Sequence, residues 1–163
     1  MKNKNILVTG GLGFIGSHFV ELLYKKCENC KVTVIDCYAY CVSKKTEDYL
    51  WDMYKKSSNE LDIIYESISD FKLDKEYDYI VNFAAESHVD NSIKAGDIFI
   101  DSNYVGVYEL LKQLPDTTRF LQVGTDEVYG SLQLNSDPSE EYSLLEPSSI
   151  YSATKAGADL LAL

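Results

Sequence analysis

Apolar residues cluster in five short runs, Asn5–Thr9, Lys31–Ile35, 61–65, 79–83 and 119–123. The runs are continuous rather than alternating, which predicts strands covered on both faces of a sheet. Between them the period changes. Phe14–Lys26 places Phe14, Phe19, Leu22 and Leu23 mainly on one side of a helix. Residues 98–114 carry Ile98, Val105, Tyr108, Leu111 and Leu114 at helical spacing, stopped by Pro115. Pro147 precedes a last helical stretch, 151–163, rich in Ala and Leu. Segment 43–60 is polar and aromatic, with no period that assigns it. Strands alternating with helices imply parallel pairing and right-handed crossovers, hence a doubly wound parallel α/β sheet. No repeat, low-complexity tract or linker divides residues 1–163, which read as one domain.

Composition narrows the function classes. The 163 residues are 45% hydrophobic and 12% aromatic, which excludes a disordered chain. No apolar run approaches the ~20 residues that a bilayer requires, so no membrane partner is expected. The formal charge of −11 argues against nucleic acid as a partner. It leaves phosphate-bearing ligands open, because a local field can oppose the global one. Met1-Lys2-Asn3-Lys4-Asn5 followed by Ile6-Leu7-Val8 lacks the longer apolar core and cleavage site of a secretory signal, so a cytoplasmic location is expected.

Cys27, Cys30, Cys37 and Cys41 superficially suggest a zinc site. The β-branched run between the two pairs reads as a buried strand that would hold them roughly 20 Å apart, whereas one metal needs four converging sulfurs. Four free thiols and no metal are expected, with a Cys27–Cys30 redox pair as an unsupported alternative.

The first strand runs into Thr9-Gly10-Gly11-Leu12-Gly13-Phe14-Ile15-Gly16. Gly10 permits a tight turn, Gly13 lets backbone approach a pyrophosphate, and Gly16 lets the helix close on the strand. The helix start then offers free N–H groups to the phosphates. The second strand ends in Asp36, placed for an adenosine ribose and repelling a 2′-phosphate, which favours NAD over NADP. Together these features predict a Rossmann-type dinucleotide site.

Tyr151 and Lys155 lie four residues apart, on one face of the last helix. A phenol of pKa ~10 works as a base at neutral pH only beside a cation, which Lys155 and an oxidised nicotinamide would supply. The fifth strand runs into Thr125-Asp126-Glu127-Val128-Tyr129-Gly130. There Thr125 can bond a substrate hydroxyl beside Tyr151. Asp126 and Glu127 can divide acid and base roles if the backbone turns at the strand end.

These motifs, with Ala84-Ala85-Glu86-Ser87-His88-Val89-Asp90 and Tyr151-Ser152-Ala153-Thr154-Lys155, make the sequence resemble the dTDP-glucose 4,6-dehydratases, extended short-chain dehydrogenases. The Thr-Asp-Glu triplet separates the resemblance from the related epimerases. It implies dehydration of dTDP-glucose to the 4-keto-6-deoxy sugar nucleotide, for deoxysugar synthesis, through transient oxidation of carbon 4 by NAD. Tyr151 would take the hydroxyl proton, with Thr125 and Lys155 assisting. Glu127 would remove the carbon 5 proton and Asp126 would protonate the departing carbon 6 hydroxyl. Phe14 and Ile15 match pyrophosphate positions, and Asp36, Cys37, Tyr38 and Ala39 the adenosine-ribose loop. Phe83, Ala84, Ala85 and Ser87 match the nicotinamide-side loop, with Ser87 also bordering the sugar. Ser102 stands where the family has a cofactor-contacting Thr.

The sequence also departs from the family. Ser67, before Ile68, replaces an Asp that binds adenine. Gly124 replaces a Ser before the triplet, and Ile150 a Pro before the tyrosine. His88 reads as structural and His18 as without a role. The chain ends in an apolar helix without a stop signal, and five strands are visible where six or more are usual. A truncated chain lacking the C-terminal substrate-binding region is therefore expected, with the fifth strand left as an edge. The resemblance implies a homodimer through helices matching 98–114 and 151 onward. Two other readings stand beside the dehydratase: a catalytically silent NAD-binding module, and another sugar-nucleotide dehydratase or epimerase-like enzyme.

Overall fold

A computed structural model describes residues Met1–Leu163. Five parallel strands, β1 (Asn5–Thr9), β2 (Lys31–Ile35), β3 (Glu60–Ile64), β4 (Tyr79–Asn82) and β5 (Arg119–Gln122), form one sheet in the order β3-β2-β1-β4-β5. Order reverses at β1, so the crevice between β1 and β4 opens at the carboxyl edge, where such sheets bind ligands. Register is even across the centre, with Thr9 opposite both Ile35 and Asn82, and Asn82 opposite Gln122.

The doubly wound expectation holds. Successive residues of β1 feed opposite cores: Ile6 and Val8 pack with Val20, Leu23, Val32 and Leu50, while Leu7 packs with Ile80, Val107, Leu110 and Ala158. Helices α1 (Phe14–Lys26) and α2 (Lys44–Tyr54) bury side chains in the first core. The second is closed by α5 (Gly106–Leu111) and α6 (Ile150–Ala162). Two shorter helices, α3 (Val89–Lys94) and α4 (Gly96–Ile100), precede α5. No helix is long and apolar enough to cross a membrane.

Several boundaries differ from the sequence expectation. β3 starts one residue earlier, and β4 and β5 each end one residue sooner, because their last residues turn into the edge loops. Residues 98–114 are not one uninterrupted α-helix. The helical run starts at Gly96, passes through a π-turn at Asp101–Val105, and ends at Leu111. Segment 43–60 supplies α2, capped by Ser43, whose Oγ accepts from the Lys45 N–H at 3.3 Å. Its inward face is Glu47, Leu50 and Tyr54, so a charge in the stripe hid the period. Burying a carboxylate is costly unless it is paired. Lys44 bonds Glu47 at 2.5 Å and holds its carboxyl below the ordinary range.

The cysteine pairs lie at opposite ends of β2. Cys27 and Cys30 are buried before the strand, and Cys37 and Cys41 are exposed after it.

Candidate active site

The glycine turn is built as its spacing predicts. Gly10 has φ +63°, and a Cβ there would meet the Ala84 backbone nitrogen at 2.6 Å. A Cβ on Gly16 would overlap the Gly10 carbonyl, so α1 sits directly against the turn. No backbone carbonyl accepts from the first-turn N–H groups of Phe14, Ile15 and Gly16. Unpaired N–H groups at the positive end of a 13-residue helix suit a pyrophosphate.

Asp36 is buried, and both its oxygens already accept from backbone. Oδ2 takes the Leu12 N–H at 3.0 Å and Oδ1 the Tyr38 N–H at 2.9 Å. The carboxylate thus ties the glycine loop to the turn after β2. Burial pushes its pKa up, opposed by the N–H groups of Leu12, Tyr38 and Gly13. Each oxygen keeps a lone pair for a ribose hydroxyl.

A solvent-open cleft, enclosing about 100 Å³, lies above the turn. It brings together Gly10, Gly13, Asp36, Cys37, Ala39, Ser67, Ile68, Phe83, Ala84, Ala85, Ser87 and Ser102, all expected from sequence. Phe14, Ile15, Gly16, Tyr38, Tyr151 and Lys155 do not line it. Phe14 and Ile15 flank the helix start, 80% and 64% exposed, and Gly16 is packed behind the turn. Tyr38 turns away with φ +57° to set its ring 5.8 Å from that of Tyr65. Ile35, Tyr40, Cys41, Glu66 and Glu86 line the cleft unforeseen. Tyr40 reaches across it, its ring 5.6 Å from that of His88.

The backbone does turn after β5. Asp126–Tyr129 is one 3₁₀ turn capped by Thr125, whose Oγ1 accepts from the Glu127 N–H at 3.3 Å. Both carboxyl groups of the pair are exposed, while Val128 anchors the turn in the protein. Tyr151 and Lys155 are buried in the first half of α6, which opens on a capping box between Ser149 and Ser152.

Tyr151 and the triplet are close enough to act on one another. Burial pushes the phenol up, the Thr125 hydroxyl opposes this, and the Glu127 and Asp126 charges reinforce it. Lys155, expected to supply positive charge to the phenol together with an oxidised nicotinamide, here has a backbone partner. Lys155 Nζ donates to the Val123 carbonyl at 2.6 Å, beneath the strand end. Burial pushes the ammonium itself down, opposed by Asp159 one turn further along α6.

Sequence reasoning missed the connector between the cleft and α6. Asn103, buried in the π-turn, accepts from the Glu86 N–H at 2.8 Å and donates to the Glu86 carbonyl at 3.0 Å. It also donates to Thr154 Oγ1 on α6 at 3.2 Å. An Asn inside a helical stripe, where propensity disfavours it, was the available signal.

Residues 7–163 match the family described as GDP-mannose 4,6 dehydratase. A dTDP-glucose 4,6-dehydratase of Mycolicibacterium smegmatis is 39% identical over 158 residues, which are 96% of this chain and 47% of that protein. The low-salt glycan biosynthesis protein Agl12 of Haloferax volcanii is 43% identical over 159 residues, 96% and 50% of the two chains. Among solved structures, DesIV, the dTDP-glucose 4,6-dehydratase of Streptomyces venezuelae with NAD and TYD bound, superposes with TM-score 0.81 at 38% identity, over 96% of this chain and 50% of that one. A UDP-N-acetylglucosamine 4-epimerase from Methanobrevibacter ruminantium gives TM-score 0.82 at 30% identity, over 99% and 50%. The chain spans about half the length of these relatives.

Proposed function

We propose, for a chain that belongs to the GDP-mannose 4,6 dehydratase family, that residues 1–163 are the NAD-binding and catalytic part of a dTDP-glucose 4,6-dehydratase of the cytoplasm. The observation that carries this is the packing of the Asp126–Tyr129 turn, capped by Thr125, against α6, which carries Tyr151 and Lys155.

The cleft fits a dinucleotide. The Gly10 and Gly16 approaches leave no room for side chains, the α1 N–H groups suit the pyrophosphate, and Asp36 suits the ribose while opposing a 2′-phosphate. When bound, NAD would supply a hydride acceptor and donor and the positive charge of its oxidised ring. The chain's own groups handle protons. Tyr151 takes the proton of the carbon 4 hydroxyl, which Thr125 and Ser87 position. Once that carbon is a ketone, its neighbour is acidified, and Glu127 removes the proton from carbon 5. Asp126 protonates the carbon 6 hydroxyl, which leaves as water. Lys155 fixes the end of β5 through Val123 and places positive charge under the site. Self-association through α4, α5 and α6 belongs to the same proposal, supported by exposed Ile98, Tyr104, Tyr108 and Leu160.

The test is incubation of the chain with dTDP-glucose and NAD, following the 4-keto-6-deoxy product. Glu127→Gln should lower the rate by about 10²–10⁴-fold, the usual contribution of a positioned base. A second reading is a NAD-binding module without turnover of its own. Tight NAD binding with no product would select it.

A further inference from the structure

Strand order fixes the direction in which a dinucleotide would lie. The turn after β1 takes the pyrophosphate and Asp36, after β2, the ribose, so the purine falls at the carboxyl end of β3. There the cleft is lined by Glu66, Ser67 and Ile68, with the buried side chains of Ile35 and Ile68 as an apolar wall.

The Ser67 hydroxyl at this wall is part of a relay. Ser67 Oγ lies 2.9 Å from Ser69 Oγ, and Ser69 Oγ lies 3.1 Å from Asp101 Oδ2. A carboxylate only accepts, and a hydroxyl has one proton. The Ser69 proton therefore goes to Asp101, and Ser69 Oγ in turn accepts the proton of Ser67. Ser67 Oγ also accepts the Ser69 N–H at 3.4 Å, so what it keeps for the cleft is its second lone pair.

We propose that Asp101, acting through Ser69, fixes Ser67 as a hydrogen-bond acceptor that selects a purine with an exocyclic amine over one with a carbonyl at that carbon. Asp101 and Ser69 are positioning residues, and the inference rests on the dinucleotide reading above. An isolated serine would rotate its proton and serve either purine. The relay removes that freedom, so a 6-oxo purine sets its lone pair against that of Ser67 and leaves both unsatisfied.

The test is equilibrium binding of NAD and of nicotinamide hypoxanthine dinucleotide, identical except for the 6-oxo purine. The unaltered chain should favour NAD by on the order of tenfold, the cost of one mismatched polar contact. Ser69→Ala and Asp101→Ala free the Ser67 proton, so each should bind the hypoxanthine dinucleotide more tightly and shrink the preference to about twofold. That gain separates the relay from structural damage, which weakens both ligands. Equal binding of the two dinucleotides by the unaltered chain overturns the inference alone. So does full discrimination in both variants, which would point to Glu66. Binding of neither dinucleotide overturns the reading on which it rests.

Discussion

The two flanks of the sheet's carboxyl edge are built differently. On the β1–β2 flank every residue of 6–9 and 32–35 is buried, and the glycine turn and Asp36 grow directly out of that core. On the β5 flank burial alternates with exposure along the strand, Leu121 is 56% exposed, and only one neighbouring strand supports it. Side-chain bonds do the holding there. Asn82 donates to Gln122 at 2.8 Å and Lys155 to Val123 at 2.6 Å, while Gln122 Nε2 and Asp159 Oδ1 are buried without partners. The glycine turn and Asp36 are thus set by packing, and the Asp126–Tyr129 turn by polar contacts. The two should fail in different ways.

Truncation of apolar residues should show the largest contrast. Leu7 is 0% exposed at the centre of the second core. Leu7→Ala should cost about 2–5 kcal/mol, and Leu121→Ala well under about 1 kcal/mol, because its side chain leaves little cavity. Urea melts of the two variants measure the gap, and similar midpoints would erase the distinction between the flanks.

Alanine at glycine gives the next contrast. At Gly10 the left-handed φ and the Ala84 backbone both oppose a Cβ, so Gly10→Ala should destabilise by about 1–3 kcal/mol and abolish NAD binding. At Gly124 a Cβ would come 2.9 Å from Asp159 Oδ2, the end of a side chain that can turn aside. Gly124→Ala should therefore cost less than about 0.5 kcal/mol and leave NAD affinity unchanged. Thermal melts with and without NAD separate the two effects.

The same division decided what could be read in advance. The bounds of β1, β2 and α1 follow the chain's apolar pattern, because both faces of the strands are core, but the face of α1 does not: Phe14 and Leu22 are exposed, and the helix buries Gly16, Ser17, Val20 and Leu23. Gly10, Gly13 and Asp36 follow from glycine spacing and the strand-end carboxylate, features of backbone geometry that one sequence displays, whereas the other expected cleft residues, such as Ser67, Phe83 and Ser102, followed only from the family resemblance. Helix α2 was hidden because Glu47 sits in its buried stripe and is tolerated only through Lys44. Asn103 and the Ser67–Ser69–Asp101 relay join segments 17 to 51 positions apart, and no local pattern encodes such a pairing. The contact that Lys155 makes was hidden for a related reason. Spacing on a helix sets which side chains share a face, but the ammonium found its acceptor across the fold, on Val123.

Lys155 offers a smaller effect on stability than Leu7 or Gly10 and the sharpest test of a flank held by polar contacts. Its ammonium is buried, and its pKa is pushed below the ordinary 10.5, with Asp159 opposing the shift. As pH rises from that lowered value toward 10.5, the unfolded lysine keeps its proton while the folded one releases it, so stability rises with pH. The contribution is lost as pH falls through the folded value. Tyr77, pushed up to about 12, and Tyr151 act in the opposite sense above 10, as does Cys27 above 9. All three remain in Lys155→Met, so the difference between the two proteins isolates the lysine. Lys155→Met should match or exceed the unaltered chain in Tm at pH 7, by no more than about 2–4 °C, while product formation falls by about 10²-fold or more. The Tm advantage should shrink steadily as pH approaches 10. A variant several degrees less stable at pH 7 would mean that the Val123 contact outweighs the burial of the charge, and that polar contacts hold this flank as firmly as packing holds the other.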